Sequence, residues 1–268
     1  MTVTPPPRVS GRWVDRRDRG GGMKLGVAEW ALGEAERATA LARAKELGFR
    51  GVELTAPVDP ALRAAADSAA IPIVSVRCHL PEFAAADIAL RSLGRERLLD
   101  CVETTHRLGA GIVTLPLPFV TTLDDYRLRE RLREDLTAVG DRAEVLGVIV
   151  ACQLPLAAAE QREFLRVVDH EMVRCDLDLS ATLDAGRDAA AEIRALGSQI
   201  CHVHLRGEEA LAPPGSDAVR AAVAALRTIL YPGFIVVTGP LRGDPAIRLQ
   251  AVRAALAAAI EAPTAPRS

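Results

Sequence analysis

The chain carries one stretch that decides its fold, Ile200-Cys201-His202-Val203-His204-Leu205-Arg206. Polar and apolar residues alternate along it, which is the period of a β-strand with two different faces. Because strand and helix patterns alternate in the surrounding sequence, this strand should lie in a parallel sheet covered by helices. Its two histidines and its arginine then face the interior or the mouth of the fold. Such groups are costly to desolvate unless they bind a ligand or one another, so the stretch also predicts a site.

Eight strand-like runs occur along the chain, and most are followed by a helical pattern. The runs are Lys24–Ala28, Gly51–Leu54, Pro72–Cys78, Gly111–Pro116, Val148–Gln153, Val173–Asp178, Gln199–Leu205 and Gly233–Thr238. Eight β/α units in roughly 240 residues predict a single-domain (β/α)8 TIM barrel, a fold that typically takes about 250 residues. A doubly wound open sheet is the alternative, but no Gly-rich dinucleotide fingerprint follows any of the strands.

Helical patterns fill the gaps between these strands. They are predicted over Gly33–Leu47, from Asp59-Pro60 onward, and over Arg95–Leu108, Asp125–Leu146, Gln161–Val168, Asp184–Leu196, Asp217–Leu226 and Asp244–Ile260. Four of the helices should end at a glycine, the residue most common just past a helix C-terminus. These glycines are Gly48, Gly109, Gly147 and Gly197.

Composition limits the class of protein. The chain has 268 residues, 49% of them hydrophobic, and a net charge of −2, which gives no support for a general nucleic-acid or membrane surface. Five cysteines without a C-x-x-C pair favour a reducing, cytoplasmic location. No apolar run approaches the ~18–20 residues of a membrane span.

The two ends of the chain differ in composition from the rest. Residues 1–22, with three prolines and three glycines in runs, predict a disordered N-terminal extension. The barrel should occupy residues 23–260, and residues 261–268 should form a frayed C-terminal tail. Met1 and Met23 both remain possible natural starts.

Polar residues on the inward face of successive strands predict a site, because the active site of such a barrel lies at the C-terminal ends of its strands. Arginine suits carboxylates and phosphates, and histidine exchanges protons near neutral pH. Trp30, just after the first strand, is placed either to form a wall of a ligand pocket or to pack against its neighbours. The alternative to a ligand site is a structural role, in which the arginines and aspartates neutralise one another as ion pairs. The inward set comprises Glu53, Ser75, Arg77, His79, Thr114, Gln153, Arg174, Asp176, Asp178, His202, His204, Arg206 and Thr238.

The order of several segments resembles a known family, the xylose isomerase-like TIM barrels, over most of residues 23 to 260. This family includes sugar (phosphate) isomerases and epimerases, inosose-handling enzymes and the endonuclease IV branch. The segments that carry the resemblance are Gly51-Val52-Glu53-Leu54, Leu146-Gly147-Val148, Asp178, His202-Val203-His204-Leu205-Arg206, Pro213-Pro214-Gly215-Ser216-Asp217 and Gly233-Phe234-Ile235-Val236-Val237.

The resemblance implies a divalent metal, Mn²⁺, Mg²⁺ or Zn²⁺, held by Glu, Asp, His and Glu on strands five to eight. Asp178 and His204 match this set, whereas Gln153 and Thr238 stand at the two glutamate positions. Both replacements are neutral, so neither is a proton base, and the remaining ligands suit Mg²⁺ or Mn²⁺ poorly. Zinc on His202, His204 and Asp178 is an alternative. However, the two histidines are about 6.5–7 Å apart along the strand, which makes shared ligation difficult.

We therefore expect no firmly bound cofactor and a metal dependence that is weakened or lost. The resemblance implies a sugar isomerase or epimerase, or a lyase, that acts by acid/base chemistry on a small polyhydroxylated or anionic substrate. Catalytic roles fall to Asp178, His204, His202, His79 and Glu53, and substrate binding to Gln153, Arg77, Arg174, Arg206, Thr238 and Trp30.

Two other function classes remain as alternatives. A non-catalytic relative would bind a sugar-like ligand or a partner protein, since the replaced glutamates are the family's catalytic groups. DNA repair of the endonuclease IV type needs a trinuclear zinc cluster, which five histidines and a net charge of −2 make a poor match. The substrate and the oligomeric state stay open.

Overall fold

Eight parallel strands close into a barrel in this computed structural model, which describes residues 22–213 and 215–262. Each strand pairs with the next along the chain, and β8 pairs with β1. The predicted (β/α)8 TIM barrel is thus confirmed, and closure of the sheet excludes the open alternative. The strands are β1 Lys24–Ala28, β2 Val52–Thr55, β3 Ile73–Arg77, β4 Ile112–Pro116, β5 Ile149–Gln153, β6 Val173–Asp178, β7 Ile200–Arg206 and β8 Phe234–Thr238.

Helices surround the barrel in the order expected from the sequence. They are α1 Arg37–Glu46, α2 Leu62–Ser68, α3 Ile88–Leu108, α4 Tyr126–Leu146, α5 Ala158–Val168, α6 Leu179–Asp184, α7 Ala189–Leu196, α8 Gly215–Thr228 and α9 Pro245–Glu261. Among the described residues, three 3-10 helices accompany them, η1 Glu29–Leu32, η2 Gly197–Gln199 and η3 Gly207–Ala210.

Side-chain caps set several helix boundaries, some where the sequence predicted them. Asp125 accepts backbone hydrogen bonds at the start of α4, and Asp244 does so at the start of α9. The helix predicted from Asp184 is wrong at its start. Asp184 is the last residue of α6, and α7 begins after Asp188, whose side chain accepts from the amides of Ala190 and Ala191.

Two helices begin at places that the apolar pattern did not indicate. The helix α1 begins at Arg37 rather than Gly33, because Gly33 takes a left-handed conformation with φ 72° at the end of η1. The helix α3 begins at Ile88 rather than Arg95, because the side chain of Asp87 accepts a hydrogen bond from the amide of Leu90.

The apolar core lies between the barrel and its helices. Outward residues of the strands, such as Val113, Leu115, Val203 and Leu205, are fully buried against this helical layer. The inward residues are largely polar and also buried, a set comprising Glu53, Ser75, Thr114, Asp176, His202 and His204. The barrel interior, and not only its rim, is therefore polar.

Two register irregularities lie next to residues of this polar interior. One falls between Val52 and Glu53 on β2, where Glu53 pairs with Ser75. The other falls between Cys175 and Asp176 on β6, where Asp176 pairs with His202 and Asp178 with His204. Such irregularities re-aim side chains and are common beside functional sites.

Residues 1–21, Pro214 and 263–268 lie outside the described residues. The predicted N-terminal extension over residues 1–22, most of the predicted tail over 261–268, and Pro214 of the family-like segment therefore lie there. Within the part of the chain that the structure describes, no helix is both long and apolar enough to cross a membrane.

Candidate active site

A histidine held between two carboxylates occupies the centre of the barrel. His204 Nε2 on β7 lies 2.8 Å from Glu53 Oε1 on β2, and His204 Nδ1 lies 2.9 Å from both carboxylate oxygens of Asp176 on β6. All three side chains are buried, with at most 2% of any side chain exposed. The strand alternation seen in the sequence turns them inward, and closure of the barrel through the pairing of β8 with β1 brings β2 and β7 near each other.

The second oxygen of Glu53 is surrounded by further polar groups. Ser75 Oγ donates to Glu53 Oε2 at 2.8 Å, and Thr114 Oγ1 donates to it at 3.3 Å. His202 Nε2 lies 3.4 Å from the same oxygen, while His202 Nδ1 is buried without a hydrogen-bond partner. The rings of His202 and His204 meet edge to face, with centroids 4.8 Å apart.

Electrostatics keep this central group charged. Burial alone lowers the pKa of His204, but the carboxylates of Asp176 and Glu53 outweigh it and raise the pKa from 6.5 to about 10. Burial alone raises the pKa of Glu53, but the charge of His204 and hydrogen bonds from His202 and His204 hold it well below its usual value. At neutral pH, His204 is therefore an imidazolium that donates from both ring nitrogens.

Gln153 connects this buried group to the mouth of the barrel. Its Oε1 accepts from Arg77 Nη2 at 2.9 Å, and its Nε2 donates to Asp176 Oδ2 at 3.3 Å. Gln153 Nε2 is also 3.3 Å from His204 Nδ1, but both atoms are donors, so this contact is not a hydrogen bond. Arg77 in turn lies over the ring of Trp30, 6.0 Å from its centroid. A continuous polar chain thus runs from the surface to Glu53.

A pocket of about 490 Å³ opens beside Arg77 at the C-terminal ends of β1 to β3. Trp30 offers it an apolar ring that is 42% exposed, and Thr55 Oγ1 is buried there without a hydrogen-bond partner. Arg37 lines the same pocket but is held by Glu29 at 2.9 Å and by two backbone carbonyl groups. Arg77, Trp30 and Thr55 are therefore the groups best placed to meet a ligand.

Sequence reasoning missed Glu29, Arg37 and Thr55 as pocket residues. Thr55 is the last residue of β2, and the predicted strand stopped one residue earlier. Glu29 directly precedes Trp30, and its Oε1 accepts from the amide of Thr55 at 2.7 Å. Its place immediately after β1 was the one signal that could have singled it out.

Three other predicted site residues, Asp178, Thr238 and His79, lie outside the central group around His204. Asp178 is half-buried at the end of β6, where its Oδ1 accepts from the amide of Ala181 and caps α6. Thr238 is half-buried at the end of β8, and His79 is exposed just after β3. These three residues lie at the mouth, but none of the described hydrogen bonds joins their side chains to the central group.

Two of the three arginines that were predicted to lie together at the mouth do not line the pocket. Arg174 is exposed at the second position of β6, toward the end of the barrel opposite the mouth. The prediction was wrong because alternation gives the face of a residue but not its position along the barrel axis. Arg206 ends β7 with an exposed side chain, which binds both carboxylate oxygens of Asp184 at 2.8 Å and also binds Glu209. Of the three, only Arg77 reaches the pocket.

The residues at the family's metal positions do not fit a metal ion. Both ring nitrogens of His204 point at carboxylates other than Asp178, and Asp178 caps a helix. Gln153 uses its amide oxygen for Arg77, and Thr238 is neutral. A site assembled from these four positions would lack both glutamate carboxylates and offer only that of Asp178, whereas hard cations favour carboxylate-rich oxygen shells.

A family model described as "Xylose isomerase-like TIM barrel" matches residues 41–260. The chain belongs to the xylose isomerase-like TIM barrel family. The resemblance carried by the sequence segments is thereby confirmed. No curated protein matches the chain.

Solved structures of the same fold include several sugar epimerases. An L-ribulose 3-epimerase superposes with a TM-score of 0.79 at 18% identity, covering 89% of this chain and 95% of its own. D-psicose 3-epimerase from Clostridium cellulolyticum H10, with D-tagatose, gives 0.76 at 21% identity, covering 88% and 98%. A 3-keto-D-glucoside 4-epimerase from E. coli gives 0.74 at 20% identity, covering 88% and 98%. At these identities the likeness is one of fold.

Proposed function

We propose that this xylose isomerase-like TIM barrel is an isomerase or epimerase of a small polyhydroxylated molecule, which binds in the pocket beside Arg77. Membership of the family supports this proposal, as do the sugar epimerases among the structures of the same fold. The pocket lies at the C-terminal ends of the strands, where barrels of this kind carry their active sites.

The polar chain from Arg77 to Glu53 is the observation that carries the proposal. Arg77 contacts the pocket and Gln153, and Gln153 contacts Asp176, the partner of the buried His204. A guanidinium and an indole ring at the pocket suit a sugar, which offers hydroxyl or phosphate oxygens and an apolar face. The buried network holds Gln153, and through it Arg77, in one orientation.

Asp178 and His79 are the groups that we assign to proton transfer, because both lie at the mouth and carboxylate and imidazole side chains serve as general acids and bases. Asp178 uses Oδ1 to cap α6, which leaves Oδ2 to take a proton from the carbon next to a carbonyl group. His79 is exposed after β3 and can return a proton to the resulting enolate, which gives the product. His204 and Glu53 are positioning residues, since their charges neutralise each other in the interior. No step of this reaction is routed through a metal ion, because the residues present do not fit the family's ion.

Solvent exchange tests the proposal whichever sugar is the product. The full-length protein is incubated in D₂O with ketopentoses, ketohexoses and their phosphates, and deuterium at the carbon is followed by NMR. We expect exchange with at least one sugar, and a loss of about 10²-fold or more in Asp178→Asn, the usual contribution of a general base. Asp188→Asn is the matched control because Asp188 is also a helix N-cap, on α7. Equal losses in both variants would assign Asp178 to helix capping alone.

A non-catalytic ligand-binding protein is the second candidate. It is favoured by Gln153 and Thr238, which are neutral at the positions where the family carries glutamates. This candidate predicts that a sugar binds by calorimetry, that Arg77→Met weakens its binding, and that no sugar in the panel acquires deuterium. Exchange that depends on Asp178 would rule it out.

A further inference from the structure

We infer that the barrel interior is a binding site for a divalent cation of the zinc class, held by Glu53, His202 and His204. Within residues 22–213 and 215–262, these three form the one group of His, Cys, Asp or Glu residues whose ligand atoms all lie within 4.8 Å of one another. This set shares only His204 with the positions that the family uses. It lies below the mouth, among fully buried side chains.

The donor atoms suit zinc in kind and in spacing. Two imidazoles and one carboxylate form a known zinc ligand set, with bonds of about 2.0–2.2 Å that place tetrahedral ligands about 3.3 Å apart. Glu53 Oε1 is 2.8 Å from His204 Nε2, and Glu53 Oε2 is 3.4 Å from His202 Nε2. The ligand atoms of the three residues all lie within 4.8 Å of one another, so modest side-chain movements would bring them to this spacing. The spacing of the two histidines along the strand was expected to make shared ligation difficult, but both side chains approach Glu53.

A second layer of groups already orients the ligands. Asp176 accepts from His204 Nδ1, which leaves Nε2 of that ring for a metal, the usual carboxylate–histidine–zinc arrangement. Ser75 Oγ fixes the Glu53 carboxylate at 2.8 Å and lies 3.4 Å from His202 Nε2. On binding, the ion takes the place of the proton on His204 Nε2, and that proton leaves to solvent.

Two buried carboxylates and an unsatisfied histidine argue independently for a cation. The side chains of Glu53 and Asp176 are both fully buried and both contact His204, and buried carboxylates are found paired or coordinating a metal. His202 is fully buried, its Nδ1 has no hydrogen-bond partner, and its Nε2 makes contacts no shorter than 3.4 Å. A ring held this loosely by hydrogen bonds, with Nε2 directed at Glu53, is suited to ligation. The ion would link β2 to β7 across the barrel.

Metal binding by untagged, full-length protein tests this inference directly. Because the ligands are buried, zinc or cobalt is supplied during expression as well as to chelator-treated protein, and bound metal is measured by elemental analysis. We expect stoichiometric uptake, the visible spectrum of four-coordinate Co²⁺, and X-ray absorption with N/O ligands at about 2.0–2.1 Å and no sulfur at about 2.3 Å. We expect the zinc Kd to rise about 100-fold or more in His202→Asn and about 10–100-fold in Asp176→Asn.

His106→Asn is the matched control, because His106 is exposed on α3 and should bind no ion in this site. Absence of metal in the wild-type protein, sulfur ligation by its cysteines, or unchanged affinity in His202→Asn would each overturn the inference. The wild-type spectra decide the matter even if a variant fails to fold. The measurement involves no turnover, so failure of the sugar-exchange assay would leave its result unaffected.

Discussion

His204 Nε2 lies 2.8 Å from Glu53 Oε1, so side chains from β7 and β2 meet across the centre of the barrel. His204 also contacts Asp176 at 2.9 Å, and the three groups are buried. A buried charge without a partner is strongly destabilising. The polar interior of the metal-free barrel is therefore held together by one imidazolium between two carboxylates.

Glu53→Gln should destabilise the metal-free protein by about 1.5–3 kcal/mol, because His204 Nε2 and Ser75 Oγ lose a charged hydrogen-bond acceptor while Asp176 still pairs with His204. Urea unfolding of chelator-treated protein measures the change. Glu163→Gln is the control, since Glu163 is an exposed partner of Arg166 and its removal should have little effect. Equal midpoints for Glu53→Gln and the wild type would show that the interior pair is not charged.

The stability that His204 contributes to the metal-free protein should depend on pH. Its folded pKa, about 10, lies above the ordinary 6.5, so the contribution is complete below pH 6.5 and is lost as the pH rises through about 10. The pKa of Glu53 is lowered, so its contribution is present above 4.5 and is lost as the pH falls through the folded value.

The stability difference between wild type and His204→Asn should therefore shrink steadily from pH 6.5 to pH 10. Urea unfolding at several pH values measures this difference. His106→Asn, at an exposed position, should follow the wild-type curve in parallel. A difference that stayed constant over this range would mean that His204 is not the titrating group.

Gln153→Glu should destabilise the protein by about 1–3 kcal/mol at neutral pH, although the family carries glutamate there. The amide of Gln153 accepts from Arg77 and donates to Asp176, whereas a carboxylate cannot donate and would repel Asp176. The difference in stability from the wild type should narrow as the pH falls, because a protonated carboxyl group at position 153 can donate a hydrogen bond again. Gln250→Glu, exposed on α9, is the matched control. A stable Gln153→Glu variant that bound Mn²⁺ would show that the family's metal position survives here.

Arg206→Met should leave the affinity for phosphate or a sugar phosphate unchanged, because Asp184 and Glu209 already bind that guanidinium. Arg77→Met should weaken it about tenfold or more, the effect of losing a charge-assisted hydrogen bond of about 1.5–3 kcal/mol. Calorimetric titration of both variants measures the two affinities. Weaker binding in Arg206→Met with unchanged binding in Arg77→Met would place the ligand beside β7 instead of in the pocket.

The sequence by itself determined the strands, their inward faces and many helix ends. Period-two alternation in the stretch around His202 and His204 gives the face of each residue, because neighbouring side chains of a strand must point in opposite directions. Caps such as Asp125 and Asp244 are equally local, since a side chain bonds amides two or three residues away. Family membership followed from such segments in their order along the chain.

Only the tertiary structure decided which polar residues meet. The contact between Glu53 and His204 spans 151 positions and requires closure of the barrel, which no local pattern encodes. Arg174 shares a strand face with Asp176 but lies at the other end of the barrel, and Arg206 turns to carboxylates on neighbouring segments. Alternation along a strand gives the face toward which a side chain points. The position of that side chain along the barrel axis, the register of its strand and its contact partners depend on how distant strands pack together.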